Sequence, residues 1–120
     1  MNEYKLARGE AKFADLIWSH EPITSMELVK LCEKEMDWKK STTYTVLKKL
    51  CDKGIFQNDN TLVSSLIKKD EFYARQSRSF VEDTFGGSLP KFITAFIGGG
   101  KLSAKLVEEL KKLIDQHKEG

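Results

Sequence analysis

Cysteine, proline and long hydrophobic runs are scarce in this sequence. Its 120 residues include two cysteines and two prolines, and the longest stretch without a charged residue runs from Phe92 to Gly100. A membrane-spanning helix needs about 20 apolar residues, which is more than twice that length, so we expect no transmembrane helix. No apolar run follows the first residues, and we therefore expect no secretory signal peptide.

The two cysteines and two histidines show no disulfide or metal-binding pattern. Cys32 and Cys51 are far apart and belong to no C-x-x-C motif. Both lie in segments with helical apolar periodicity, which predicts reduced, buried thiols and a cytoplasmic protein. His20 and His117 stand alone, and we expect them to be exposed residues rather than ligands. The sequence therefore predicts neither a metal nor any other cofactor.

Positive charge is concentrated in one short segment. The whole chain is nearly balanced, with 20 basic and 18 acidic residues. Between Trp38 and Lys53, however, five lysines stand against the single acid Asp52, a net charge of +4, and the rest of the chain carries −2. A local concentration of this kind is the footprint of a protein that binds a phosphate backbone.

The side chains that enzymes use are not combined in a catalytic pattern. The sequence shows no paired nucleophile and base, no carboxylate cluster with a histidine, and no glycine-rich loop after a strand. Gly98-Gly99-Gly100 follows a predicted helix, which is the wrong context for a phosphate loop. We therefore expect that the protein is not an enzyme.

Capping residues and glycines divide the first half into three helices. Apolar periodicity predicts a first helix over residues 8–19. Thr24 begins the second helix, because together with Glu27 it forms a capping box. A third helix is predicted over residues 41–52, and Gly54 is placed to end it in the left-handed conformation.

A short β-hairpin follows the three helices. Residues 55–57 and 61–67 are β-prone, and Asn58-Asp59-Asn60 between them tolerate the positive φ of a turn. Three helices followed by a hairpin is the element order of a winged helix-turn-helix, which we assign to residues 1–69. Asn58 and Asn60 are the candidate contacts of the wing, whereas Asp59 at the same tip would repel phosphate.

The second half is again helical. Helices are predicted over residues 69–84, 88–97 and 103–117, separated by two glycine clusters. Their apolar stripes are too extensive for so small a first domain, so we expect residues 70–120 to form a helical dimerisation domain. The fold class is thus mostly α (α+β). The residues expected at the interface between two copies are Phe80, Phe85, Phe92, Phe96, Leu106, Leu110, Leu113 and Ile114.

The predicted third helix has an apolar face and a polar face. At about 100° per residue, the face that anchors the helix to its domain consists of Thr43, Val46, Leu47 and Leu50. The opposite face carries short hydroxyls, an aromatic ring and long cations, which a helix in the major groove uses on phosphates and base edges. The candidate DNA-binding residues are Lys40, Ser41, Thr42, Tyr44, Thr45, Lys48 and Lys49.

Several longer motifs extend the pattern beyond a winged helix. They are Ile17-Trp18, the run Ser41-Thr42-Thr43-Tyr44-Thr45-Val46-Leu47, and Phe85-Gly86-Gly87-Ser88-Leu89-Pro90 leading to Ala95-Phe96. In these motifs the chain resembles the penicillinase-repressor (BlaI/MecI/CopY) family of bacterial transcriptional regulators. The resemblance covers about Tyr4 to His117.

The resemblance implies a homodimeric repressor in which each head binds one half of an inverted-repeat operator. It also implies a membrane sensor-protease that responds to a β-lactam and cuts the repressor in its dimerisation region. The matching candidate cleavage bond is Ala95–Phe96, where better-known family members have asparagine in place of the alanine. The copper-responsive branch of the family has paired cysteines near its C-terminus, and this chain has no cysteine after Cys51.

Two other functions fit the same residues. A ligand-responsive winged-helix regulator of another family would use the aromatic cluster Phe80, Phe85, Phe92 and Phe96 as a pocket. A winged helix used as a protein-interaction module would suit the balanced charge and the acidic wing tip. A DNA-binding protein should show steep salt dependence and lose affinity when Lys48 or Lys49 is substituted, whereas an interaction module should show neither.

Overall fold

The computed structural model describes residues 4–119, which form six helices and one three-stranded antiparallel sheet. In chain order the elements are α1 (Arg8–His20), β1 (Ile23–Thr24), α2 (Ser25–Met36), α3 (Lys40–Asp52), β2 (Phe56–Asp59), β3 (Leu62–Ser65), α4 (Lys69–Phe85), α5 (Leu89–Ile97) and α6 (Ala104–Gln116). The strand order in the sheet is β1-β3-β2. The predicted fold class, mostly α with a winged helix-turn-helix, is confirmed.

The chain divides into two compact units within α4. The first unit is Met1–Phe80 and contains the winged helix and the larger part of α4. The second unit is Val81–Gly120 and contains the end of α4 together with α5 and α6. The predicted boundary after residue 69 separates a DNA-binding part from a dimerisation part. It stays a prediction, because a division into compact units does not show which part binds DNA and which forms a dimer.

The core of the first unit draws on every one of its helices and strands. Phe13 of α1, Leu28 of α2 and Leu50 of α3 are fully buried, as are Val63 of β3 and Phe72 of α4. Burial of each such side chain stabilises the fold by roughly 1.5–3 kcal/mol. The three helices of the head are therefore anchored on the sheet by the same apolar cluster that holds the start of α4.

Aromatic side chains attach α4 to the winged helix. The Trp18 ring lies 5.3 Å from that of Phe56, 5.5 Å from that of Phe72 and 5.9 Å from that of Tyr73, measured between centroids. The indole N–H of Trp18 also donates a hydrogen bond of 3.0 Å to the carbonyl oxygen of Ile67. The first turns of α4 are thus part of the head.

The helix boundaries follow the predicted capping chemistry. Thr24 Oγ1 accepts a hydrogen bond from the backbone N–H of Glu27 at 3.2 Å, and the Glu27 carboxylate accepts from the N–H of Thr24 at 3.4 Å. Gly54 follows α3 with a φ of 80°, which only glycine adopts without strain. Ser88 and Ser103 cap α5 and α6 through their side chains. The predicted capping box of Thr24 and Glu27 and the predicted left-handed Gly54 are confirmed.

The turn of the wing lies later in the chain than predicted. Asn58 and Asp59 belong to β2, where they pair with Val63 and Leu62 of β3. The turn is the two-residue loop Asn60-Thr61, with φ of 50° and 70°. The prediction that Asn58-Asp59-Asn60 forms the tip is therefore wrong for its first two residues. A two-residue loop with both φ values positive matches the twist of the strands, and this fixes the register.

No pattern in the sequence predicts β1. Ile23 pairs with Val63 and Thr24 with Leu62, so β1 forms one edge of the sheet. A strand of two residues is too short to show an alternating pattern, and Thr24 is at the same time the N-cap of α2. The pairing places the start of α2 directly beside the wing.

Candidate nucleic-acid interface

α3 has one buried and one exposed face, as its periodicity predicted. The buried face, at most 2% exposed, consists of Thr43, Leu47 and Leu50. The exposed face includes Ser41, Thr42, Thr45 and Lys48. A helix that enters the major groove needs this division, because one side must be anchored in the domain while the other carries polar groups outward.

The first turn of α3 leaves backbone N–H groups available to a ligand. The N-cap residue Lys39 makes no side-chain capping bond. The N–H of Thr43 donates to the carbonyl oxygen of Lys39 at 3.1 Å, so the N–H groups of residues 40–42 have no acceptor within the helix. Such an end carries partial positive charge and binds anions such as phosphate. Lys40 is exposed in the same turn and adds a full charge.

The hydroxyl of Thr45 is oriented by its own helix. Thr45 Oγ1 donates a hydrogen bond of 2.9 Å to the carbonyl oxygen of Ser41. The hydroxyl oxygen still has lone pairs, and the residue is exposed. Thr45 can therefore accept a hydrogen bond from a base edge or place its methyl group against the methyl of thymine.

Tyr44, predicted for the outer face, is half-buried against α2. Its hydroxyl donates to Oγ of Ser25 at 3.3 Å and lies 3.9 Å from Sδ of Met26. Ser25 is itself 4% exposed. The aromatic ring is thus tied to the first turn of α2. Nothing in the sequence points to Ser25, since no local pattern shows which α2 residue faces α3.

Two lysines of the basic segment contact residues near the start of α1. Lys49 Nζ lies 2.6 Å from the carboxylate of Glu10, and Lys53 Nζ donates to the carbonyl oxygen of Lys5 at 3.2 Å. The hydrogen bond from Lys49, with a second from the N–H of Ala7, holds the pKa of Glu10 below its ordinary value. These contacts occupy the polar end of Lys49 within the first unit.

Lys40 and Lys48 remain at the exposed face. Lys48 Nζ lies 3.0 Å from the Asp52 carboxylate one turn later, but both side chains are mostly exposed. Solvent weakens such a pair to a few tenths of a kcal/mol, roughly, so a phosphate can replace it. Among the described residues, Lys40 takes part in none of the ion pairs. These two cations are the ones best placed to meet a polyanion.

The wing turn is fastened to the start of α2. The backbone N–H of Ser25 donates a hydrogen bond of 2.8 Å to the carbonyl oxygen of Thr61. Asn60 in the turn and Asn58 on β2 are exposed, and so is Asp59 between them. Ser25 therefore contacts the wing through its backbone and α3 through its side chain.

The helices of the second unit carry exposed apolar stripes. The Phe92 ring lies 5.6 Å from that of Phe85 and 6.1 Å from that of Phe96. Neither α5 nor α6 has a buried residue, and exposure reaches 71% for Phe96 and 66% for Ile114. Exposed apolar side chains in such number are typical of an interaction surface. The other interface candidates are half-buried (Leu110) or exposed (Leu106, Leu113 and, in the first unit, Phe80).

The candidate cleavage bond Ala95–Phe96 lies in the last turn of α5. Both residues are exposed. The N–H of Gly98, the residue after the helix, donates to the carbonyl oxygen of Thr94 at 3.1 Å, and Gly98 has a φ of 59°. A protease takes up its substrate in an extended form, so this last turn has to open locally before the bond can be cut.

The sequence matches known repressors over nearly its whole length. A family model described as penicillinase repressor matches residues 6–116, a range that includes all six helices and the sheet. The chain belongs to the penicillinase repressor family. The family resemblance inferred from the motifs is thereby confirmed, and the family is one of transcriptional repressors rather than of enzymes.

Three relatives from the penicillinase repressor family show how far the similarity extends. The penicillinase repressor of Bacillus licheniformis is 24% identical over 118 residues, which cover 95% of this chain and 92% of the relative. The methicillin resistance regulatory protein MecI of Staphylococcus aureus is 21% identical over 117 residues, or 94% and 95% of the two chains. A penicillinase repressor of Staphylococcus aureus is 22% identical over 117 residues, or 94% and 93%.

The described residues contain two thiols, no cluster of metal-ligating side chains and no membrane-spanning helix. Cys32 and Cys51 are free, and burial raises the pKa of both thiols. Within residues 4–119, no three histidine, cysteine or acidic side chains come together as metal ligands. Over the same range, no helix combines the length and the apolar character needed to span a membrane.

Proposed function

We propose that this chain is a homodimeric repressor that binds an inverted-repeat operator through the exposed face of α3. The observation that carries the proposal is the division of α3, with an anchored apolar face opposite hydroxyls and cations. Membership of a repressor family supports it. Because bacterial DNA lies in the cytoplasm, the proposal includes a cytoplasmic location.

The contacts that we propose are made by exposed polar groups of the first unit. Lys40 and the open N–H groups of the first turn of α3 bind a phosphate, and Lys48 binds a second one. Base edges are read by Ser41, Thr42 and Thr45. Asn58 and Asn60 donate hydrogen bonds from the wing. We do not propose Tyr44 and Lys49 as DNA contacts, because their polar atoms are bound to Ser25 and Glu10. These two bonds instead hold α3 against α2 and α1.

The apolar stripes of α5 and α6 support a dimer as the binding form. A second copy of the chain is the partner that covers Phe96, Leu113 and Ile114, which a lone chain leaves in water. Linking two heads raises the effective concentration of the second head once the first has bound. The half-sites of the operator are then expected about 10 base pairs apart, or a multiple of that distance.

Selection from random duplex DNA at about 0.15 M salt tests this function, because phosphate contacts alone bind weakly there. We expect a two-fold inverted repeat to be enriched. Leu110→Asp, run in parallel, should enrich at most a single half-site if α6 holds the dimer together. If a folded, dimeric wild-type protein enriched nothing, DNA binding would be wrong and a protein-interaction module would explain the fold better.

The exposed end of α5 supports a proposed mode of inactivation. In this proposal a membrane sensor-protease, responding to a β-lactam-type signal, cuts Ala95–Phe96 and thereby separates the two heads. Mass spectrometry of the chain recovered from cells treated with a β-lactam should then show a fragment that ends at Ala95. Derepression with the chain intact would contradict this proposal and leave the DNA-binding proposal standing.

A further inference from the structure

We infer that Ser25 is a positioning residue that couples the wing to α3, an inference that rests on the proposed DNA-binding function. Ser25 is the first residue of α2 and is almost completely buried. Its backbone N–H donates to the carbonyl oxygen of Thr61 in the wing turn at 2.8 Å. Its Oγ accepts a hydrogen bond from the hydroxyl of Tyr44 in α3 at 3.3 Å. One residue thus bonds to both elements that approach DNA.

The bond to the wing continues a strand pairing. Thr24 pairs with Leu62, and Ser25 then bonds to Thr61, so two consecutive residues hold the wing at its turn. Thr61 is β-branched and has a φ of 70°, a conformation that such residues adopt only when their surroundings enforce it. The N–H of Ser25 is one of the groups that hold this turn in place.

The bond to α3 fixes the orientation of the exposed face. Tyr44 lies between Ser41 and Thr45 in sequence, and its hydroxyl contacts the first turn of α2. Side chains that read base edges must be placed within about 0.5 Å, and they depend on neighbouring contacts for that precision. Loss of the bond leaves the same side chains on α3 but lets the helix shift relative to the wing.

The first test uses the protein without DNA. Tyr44→Phe removes one hydroxyl, and amide NMR spectra should show shifts at Ser25 and at the wing residue Thr61, far from Tyr44 in sequence. Thr45→Ala is the matched control, because that hydroxyl bonds to its own helix. Unchanged Ser25 and Thr61 signals in Tyr44→Phe would overturn the inference whether or not the protein binds DNA.

The second test is a double-mutant cycle on the duplex recovered by selection. Tyr44→Phe and Ser25→Ala each remove one partner of the same bond. We expect each variant to bind about 2- to 10-fold more weakly per head, the range of a single net hydrogen bond. The double variant should be no weaker than the weaker single one. Effects that multiply would show that the two hydroxyls act independently, and would overturn the coupling.

A comparison with non-operator DNA separates positioning from simple loss of stability. A smaller folded fraction lowers affinity for all DNA equally, whereas a misplaced α3 lowers the ratio of operator to scrambled-duplex affinity, because non-specific binding depends on phosphate contacts. We expect this ratio to fall in both single variants. A constant ratio would refute positioning. If the wild type bound no selected duplex, the proposed function would fail, while the NMR test would still decide the coupling.

Discussion

Glutamine substitutions at Lys40 and Lys49 remove the same charge from opposite ends of α3 and should have different consequences. Lys40 is exposed in the first turn, beside N–H groups without an intrahelical acceptor. Lys49 lies 2.6 Å from Glu10, whose side chain is only 12% exposed. The two variants form a matched pair, because they have equal net charge and differ in whether the lost cation was free to meet DNA.

The magnitudes follow from counterion release and from the local contacts. A lysine that neutralises one phosphate contributes about 0.9 to the slope of log affinity against log salt, and a dimer carries two copies. Lys40→Gln should therefore reduce the slope by about 1.8. Extrapolated from 1 M salt, this corresponds to an affinity loss of about 30-fold near 0.15 M.

Lys49→Gln should leave the slope unchanged and lower stability instead. The substitution removes the partner of a carboxylate that is largely shielded from water, which costs about 1 kcal/mol. For a unit of this size, that corresponds to a fall in Tm of about 4–8 °C. Lys40→Gln should leave Tm nearly unchanged.

Fluorescence anisotropy with the selected duplex, between about 50 and 200 mM salt, measures the slopes, and calorimetry measures Tm. All titrations are run at a temperature well below the Tm of the less stable variant, so that the folded fraction stays constant. If Lys49→Gln reduced the slope as much as Lys40→Gln, the inference that Lys40 contacts DNA and Lys49 does not would be refuted.

Three further predictions concern base reading, dimerisation and pH. Thr45→Ala should cost about 1–3 kcal/mol of specific binding, and unchanged operator affinity would remove Thr45 from the interface. Leu110→Asp should give monomers by light scattering, and a surviving dimer would place the interface elsewhere. The pKa of Glu10 is held below its ordinary value of 4.5, so its charged form stabilises the fold above that pH, and this contribution is lost as pH falls through the lower folded value. Glu10→Gln should therefore flatten the acid limb of a denaturant-derived stability profile, and an unchanged limb would contradict the Lys49 contact.

The parts of this fold that depend on neighbouring residues were predictable from the sequence. The capping box of Thr24 and Glu27 and the left-handed Gly54 use groups only a few residues apart. The two faces of α3 follow from helical geometry alone. Each of these features is fixed by local chemistry, so a single sequence is sufficient to place it.

The parts that depend on distant residues were not predictable in the same way. Phe13 of α1 is fully buried, and its ring stacks on that of Trp38, which lies 25 residues later in the chain. The wing turn shifted to Asn60-Thr61 because the pairing of β2 with β3 sets the loop length. The bond of Ser25 to Tyr44 joins two helices, and no periodicity shows which residues meet there.

The contacts of the lysines change the meaning of the basic segment. In the sequence, five lysines between Trp38 and Lys53 form a single candidate surface for phosphate binding. In the structure Lys49 and Lys53 contact residues near the start of α1, and Lys48 is paired with Asp52. Lys40, at the N-terminal end of α3, takes part in none of the ion pairs among residues 4–119. The open N–H groups lie at that same end, and the two effects reinforce each other. We therefore expect α3 to meet the phosphate backbone with its first turn, and the base-reading residues to be those of its N-terminal half.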